Sequence, residues 1–329
     1  MVHIRISLDT NLWSSIGDEM ARKSFDSFLR SRSLDVVVPP SILVEVINLP
    51  VIEARQRIIQ ALAQGPRQRL DTEAQSECAE VVSEAKRVRP LWMRSMPDTT
   101  KVWLLNNFWT KKIWRQAQVD SQPFHEYQKS LMTRHRILVD RQRGNRTRML
   151  QSGFKPRPLT TVMVTPDPDA PESYLAGWDR EPVEMWRVVN RDLYWRELSV
   201  VSGRAVLTKE DTTIADWVGS YVDLPRLRSK RSDFTKFWLQ DVELGAMRRN
   251  WLRWAVDLAQ FDFKVTGGNP ADTQHSSYLL DCDLFLSADA RYVDVLKLVR
   301  ADAPFSFAEP RLVSGDRAIP ILDRLAAVL

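Results

Sequence analysis

His3-Ile4-Arg5-Ile6-Ser7-Leu8-Asp9-Thr10-Asn11 is the stretch that decides the fold. Polar and apolar residues alternate from His3 to Leu8, the period of a strand with one buried face, and the run delivers Asp9 at its C-terminal end. Open α/β sheets place their chemistry there. Asp18 then reads as the N-cap of a helix whose apolar residues Ala21, Phe25, Phe28 and Leu29 fall at helical spacing. Val36-Val37-Val38 reads as a second, buried strand closed by Pro39-Pro40. From Ser41 a helix runs through Ile42, Leu43 and Val44, with Glu45 among them. A buried carboxylate without a partner is costly, so Glu45 demands a compensating charge.

The C-terminal part repeats the pattern. Gly267-Gly268 makes a turn, Asn269 is a good N-cap and Pro270 fits the first helical position. Asp272 therefore lands in the first turn of a helix, with His275 three residues later on nearly the same face. Leu284-Phe285-Leu286 reads as another buried strand and ends in Ser287-Ala288-Asp289. Tyr292 to Val299 reads as a helix and Arg311-Leu312-Val313 as a last strand. Both ends are βα units, which predicts an α/β fold on a mostly parallel sheet flanked by helices. Within it Asp9, Glu45, Asp272 and Asp289 stand out by position. Carboxylates gathered at one sheet edge repel unless a divalent cation neutralises them, and oxygen ligation suits magnesium or manganese. Such a centre serves metal-dependent hydrolysis of a phosphodiester.

Asp9-Thr10-Asn11 after the first strand, Glu45 after a Val-rich strand, Asp272 with His275, and the tail Cys282-Asp283-Leu284-Phe285-Leu286-Ser287-Ala288-Asp289 together resemble the PIN-domain ribonucleases. The family's usual tail ends in Thr-x-Asp, and Ser287 here keeps the hydroxyl. The resemblance covers only the two ends of the chain. It implies a PIN-like core that cleaves RNA with Mg2+ or Mn2+, leaving 5′-phosphate and 3′-hydroxyl ends. It implies Asp9, Asp272 and Asp289 as catalytic metal ligands, with Glu45 as ligand or orienter. Thr10 and Ser287 would hold the loops, Asn11 and Asp283 would support the ligands from behind, and His275 would serve a structural hydrogen bond or the phosphate. Such nucleases often act as bacterial toxins or defence effectors, which implies an inhibitory protein partner covering the acids.

Glu45 and Asp272 lie 227 positions apart, several times the gap in compact members of that family. Setting residues 65–261 aside leaves 132 residues, a sensible single domain. The expected organisation is a PIN-like core in two parts, 1–64 and 262–329, split by a large, mainly α-helical insertion over 65–261. Val102, Leu105, Trp109 and Ile113, and Met247, Trp251, Trp254, Leu258 and Phe261, mark two helices with apolar stripes. Arg248, Arg249 and Arg253 lie off the second stripe. Pro166, Pro168 and Pro171 with Asp167, Asp169 and Glu172 read as a loop between them.

The formal charge of +5 is unevenly spread, because residues 101–160 hold 13 Lys and Arg against three acids. Arg134, Arg136, Arg141, Arg143, Arg146 and Arg148 form the densest part, enough to neutralise several phosphates of single-stranded or structured RNA, tRNA included. A solvated helical face or a surface for an acidic protein is the bland alternative. Most of the 12 Trp read as core, and Trp103 and Trp114, off the stripe, are the candidates for base stacking. With 44% hydrophobic and 27% charged residues the chain has material for a packed core, and its two cysteines exclude a disulfide framework or a Cys-based zinc site. No run reaches the roughly 18 apolar residues of a membrane helix, and the first residues lack a signal-peptide pattern, so a cytoplasmic location is expected. The missing G-x-G-x-x-G disfavours a dinucleotide enzyme, and the missing second acid after Asp9 disfavours an aspartyl-nucleophile phosphatase. A catalytically weak RNA-binding or scaffold module and a structure-specific DNA nuclease remain as alternatives.

Overall fold

The computed structural model describes residues 3–130, 132–167, 169, 175, 178–179, 181–199, 214–265 and 267–329, with residues 132–135 described in their backbone alone. Seven strands occur among them: β1 Ile4–Leu8, β2 Leu34–Val38, β3 Arg67–Arg69, β4 Met163–Val164, β5 Val183–Glu184, β6 Leu284–Ser287 and β7 Glu309–Leu312. β4 and β5 form a short antiparallel pair. The other five make an all-parallel sheet in the order β3-β2-β1-β6-β7, so the protein is α/β.

β1 is the centre of this sheet. It pairs with β2 in the register Ile6↔Val36 and with β6 in the register Leu8↔Leu286. Successive side chains of a strand point to opposite faces, and here both faces are covered. Val36, Val38, Leu284 and Leu286 join Ile6 and Leu8 in one hydrophobic cluster, while Val37 and Phe285 join the other. The first cluster is completed by helices Thr10–Asp18, Arg22–Ser31, Pro40–Ile47 and Ile52–Ala63, and by Phe108, Ile113 and Trp114. The second is completed by helices Glu73–Val88, Met185–Ser199, Arg248–Ala259 and Ala290–Asp302.

The middle of the chain, read from sequence as an insertion over 65–261, therefore packs on both faces of the sheet, and its residues Arg67–Arg69 add the edge strand β3. Arg67 fixes that edge from inside. Its buried guanidinium pairs with Asp26 at 2.6 Å and lies over the rings of Trp13 and Phe25.

Several local expectations are corrected. Asp18 ends a helix instead of capping the next one: Asp9 accepts from the Thr10 N–H, the first helix starts at once, and Asp18 pairs with Arg57 and Arg317. Asn269 lies inside helix Asn269–Ser276, one residue past the N-cap Gly268, and its side chain binds Gln260. The stripe from Val102 to Ile113 is interrupted by a wider turn at Phe108–Lys112. A wider turn rotates the following residues back by about one position, which carries Trp114 into the core at 0% exposure. It is no stacking platform. Of the arginines off the second stripe, Arg249 pairs with Asp281 and Arg253 with Glu77. Pro168, Pro171 and Glu172 lie outside the described residues. No helix among the described residues is long and apolar enough to cross a membrane.

Gly17 sets how closely helices Thr10–Asp18 and Ile52–Ala63 approach: a Cβ there would stand 3.1 Å from the Ile58 Cα and 3.2 Å from its nitrogen. Overpacking costs about 1–3 kcal/mol, against a helix-propensity gain of at most about 1 kcal/mol near a helix end. Gly17→Ala is therefore expected to lower stability by roughly 1–2 kcal/mol in urea unfolding. An unchanged or higher midpoint would show that the two helices can separate freely.

Candidate metal centre

All parallel strands of the sheet deliver their C-terminal ends to one edge, and β1 and β6 bring Asp9 and Asp289 there side by side. The Asp9 N–H donates to the Leu286 carbonyl at 2.9 Å, continuing the ladder one residue past β1. The Asp9 carboxylate accepts from the Thr10 N–H and the Asn11 Nδ2, each at 2.7 Å, and from the Ser287 hydroxyl at 2.5 Å. Asn11 spans the gap between the two loops: its Oδ1 accepts from the Ala288 N–H at 3.1 Å and its Nδ2 reaches the Ser287 Oγ at 3.3 Å. Ser287 in turn accepts from the Asp289 N–H at 2.9 Å. Asp289 caps helix Ala290–Asp302 by accepting from the Tyr292 N–H at 3.0 Å.

Glu45 arrives on helix Pro40–Ile47, whose buried residues are apolar apart from Ser41, and accepts a hydrogen bond from the Thr10 hydroxyl. Asp272 and His275, three apart on helix Asn269–Ser276, enter from a third direction. Asp272 pairs with Arg291 at 2.9 Å, and Gln260 Nε2 stands 3.4 Å from the same oxygen. His275 is buried, with Nε2 3.7 Å from a Glu45 oxygen. Asp9, Glu45 and His275 each offer an atom within 4.8 Å of the others and could hold a metal ion.

Electrostatics reflects this crowding. Burial pushes the Asp9 carboxyl up from its ordinary value, with Glu45 adding repulsion against the pull of His275 and the Ser287 hydroxyl. Burial, then the charge of Asp9, pushes Asp272 up to about 8, with Asp289 and Glu45 adding to it and Arg291 opposing. The same four acids raise the Tyr292 phenol beyond what burial alone does. Its hydroxyl donates to the Asp272 carbonyl at 2.8 Å.

The structure thus brings together Asp9, Thr10, Asn11, Glu45, Asp272, His275, Ser287 and Asp289. It does not bring Asp283. That residue precedes β6, accepts from the Arg5 N–H at 2.7 Å, and sits at the opposite end of the strand; four residues of extended chain, about 13 Å, separate it from Ser287. His275, expected to serve a structural hydrogen bond or the phosphate, stands beside Glu45 and Asp9. Sequence reading missed Arg291 and Tyr292, because their partner Asp272 lies on another helix and no spacing rule links them. Beside the acids opens a groove of about 520 Å3 lined by Asn11, Ser15, Asp289, Arg291, Arg317 and Arg324.

The basic segment lies close by. Helix Met132–Gln151 packs against helix Asn269–Ser276 and the Gln260–Asp262 turn, with Gln142 donating to Asp257 at 2.8 Å and Arg146 to the Phe261 carbonyl at 3.1 Å. Arg136, Arg141, Arg143 and Arg148 are exposed, although Arg143 pairs with Asp140 and Arg148 with Asn145. The Arg134 side chain lies outside the described residues. Trp103 is 62% exposed on helix Thr99–Asn107.

No protein-family model, no curated protein and no solved structure matches this chain.

Asp272 makes stability depend on pH. Its folded value of about 8 lies above the ordinary 3.8, so its contribution is complete below the ordinary value and is lost as pH rises through the folded one. Chelated protein is therefore expected to lose stability from pH 5 to 8, at up to about 1.4 kcal/mol per unit. Asp272→Asn should flatten that slope in denaturant titrations at several pH values; an equal slope in both proteins would exclude Asp272 as its source.

Proposed function

We propose that the protein is a metal-dependent endoribonuclease of PIN-like architecture. Asp9, Glu45, Asp272 and Asp289 hold magnesium or manganese, and the arginines of helix Met132–Gln151 hold the RNA. The observation that carries this reading is Asp272. Its carboxyl, pushed up to about 8 by burial and by Asp9, Asp289 and Glu45 against the pull of Arg291, lies in the same cluster as Asp9, Glu45 and His275, whose donor atoms lie within 4.8 Å of one another, and such a gathering of acids favours a cation. The donors fit the group, because carboxylate oxygens at one sheet edge are the ligands that hard divalent cations take. When bound, such an ion supplies charge against a phosphate and acidifies water beside it.

The chain's own residues supply the rest. Asn11 and Ser287 fix the Asp9 carboxylate and Thr10 fixes Glu45, so the acids are positioned before substrate arrives. Arg291 keeps Asp272 in place. Arg317, exposed in the adjoining groove, and the exposed arginines of helix Met132–Gln151 offer phosphate contacts. Trp103, exposed in the basic segment, offers a base a stacking surface.

Purified protein incubated with RNA and single-stranded DNA in manganese, magnesium or chelator tests the reading. RNA cleavage that needs metal is expected, reduced at least about 1,000-fold in Asp9→Asn with binding retained. Replacing Arg136, Arg141, Arg143 and Arg148 by Ala should weaken binding and lower its salt slope by about 0.7 for each phosphate that is no longer neutralised. Cutting by Asp9→Asn as fast as by the parent protein would falsify the metal assignment. Cutting of DNA alone would turn the reading to a DNA nuclease, and metal-independent binding without cutting to an RNA-binding module.

A further inference from the structure

We propose that His275 is itself a metal ligand, through Nε2, so that the centre is a mixed oxygen and nitrogen site that takes manganese or another first-row cation in preference to magnesium. The inference rests on the reading of the acids as a metal centre and adds to it a donor and a metal class.

His275 is 3% exposed, and its Nε2 is buried without a hydrogen-bond partner. A buried ring nitrogen left unpaired is costly, and an orphan of this kind in a folded protein points to an absent partner. The nearest acid is Glu45, but the 3.7 Å separation is too long for a hydrogen bond. Here the same Glu45 oxygen takes the Thr10 hydroxyl instead, and the nitrogen stands off. Asp9, Glu45 and His275 thus place three donor atoms within 4.8 Å of one another, close enough to share one ion.

The other two acids lie outside this trio of donor atoms. Asp272 is held by Arg291 and Asp289 by the first turn of its helix. That leaves two carboxylates and one imidazole as the donors within reach of a single ion. The placement of the nitrogen follows from the helix. Positions 272 and 275 share a face of Asn269–Ser276, and that helix packs against Pro40–Ile47, which carries Glu45. Magnesium favours oxygen donors and keeps much of its water, whereas imidazole binds first-row transition cations well. A nitrogen among the ligands therefore shifts preference away from magnesium.

Protein stripped with chelator and titrated with Mn2+ and with Mg2+, followed by pulsed electron paramagnetic resonance of the Mn2+ form, decides the matter without an activity readout. Expected are Mn2+ binding at least about tenfold tighter than Mg2+ and a nitrogen coupling that changes when histidine is labelled with 15N. His275→Gln should lose that coupling and weaken Mn2+ by roughly ten- to a hundredfold while leaving Mg2+ within about threefold. Should His275→Gln fail to fold, labelled parent protein carries the test alone, since it needs no substitution. Mn2+ bound with no nitrogen coupling would overturn the inference and leave the carboxylate centre standing. Failure of both metals to bind at millimolar concentration would overturn the centre as well.

Discussion

The parallel pairing of β1 with β6 is the constraint on which the rest depends. It joins residues 278 positions apart, Asp9 and Ser287, across a ladder that registers Leu8 with Leu286. A slip of one residue would turn Asp9 to the other face of the sheet and send the apolar side chains of β1 to the wrong cluster. Burial on both faces forbids that slip, because Val36, Val37 and Val38 alternate between two clusters that are each closed by helices. The hydrophobic effect thereby fixes the register, and the register fixes where the carboxylates meet.

Charge is handled differently at the acid edge and in the helical cover. Under the cover, Glu77 pairs with Arg253 and accepts from the Ser277 hydroxyl, and Arg249 pairs with Asp281. Glu80 accepts from the backbone of Arg249 and Asn250. Each of these carboxylates has donors close at hand, although burial still pushes Glu80 up to about 7. At the sheet edge, Asp9, Glu45, Asp272 and Asp289 share Arg291 and His275, and Asp272 carries the imbalance as a raised pKa. The basic helix Met132–Gln151 rests on the helix that carries Asp272 and His275.

Local sequence determined β1, β2, β6 and β7, several of the helices and the acids at their ends, because these follow from short-range periodicity. Alternation in Ile4–Leu8, the apolar run at Leu284–Leu286 and the stripe from Met247 to Phe261 each need only a few neighbours to be read. Tertiary structure decided what depends on neighbours far along the chain. The middle segment reads as separate by spacing, yet it supplies an edge strand and packs on both faces, since a parallel sheet with two apolar faces must be covered on both. Trp114 turned inward because one wide turn rotated its helix, and Asp283 went to the far end of β6 because strand direction separates it from Ser287. Arg291 meets Asp272, and His275 faces Glu45, only once helices from different parts of the chain are packed, and side-chain contact across packed elements leaves no periodic signal in sequence.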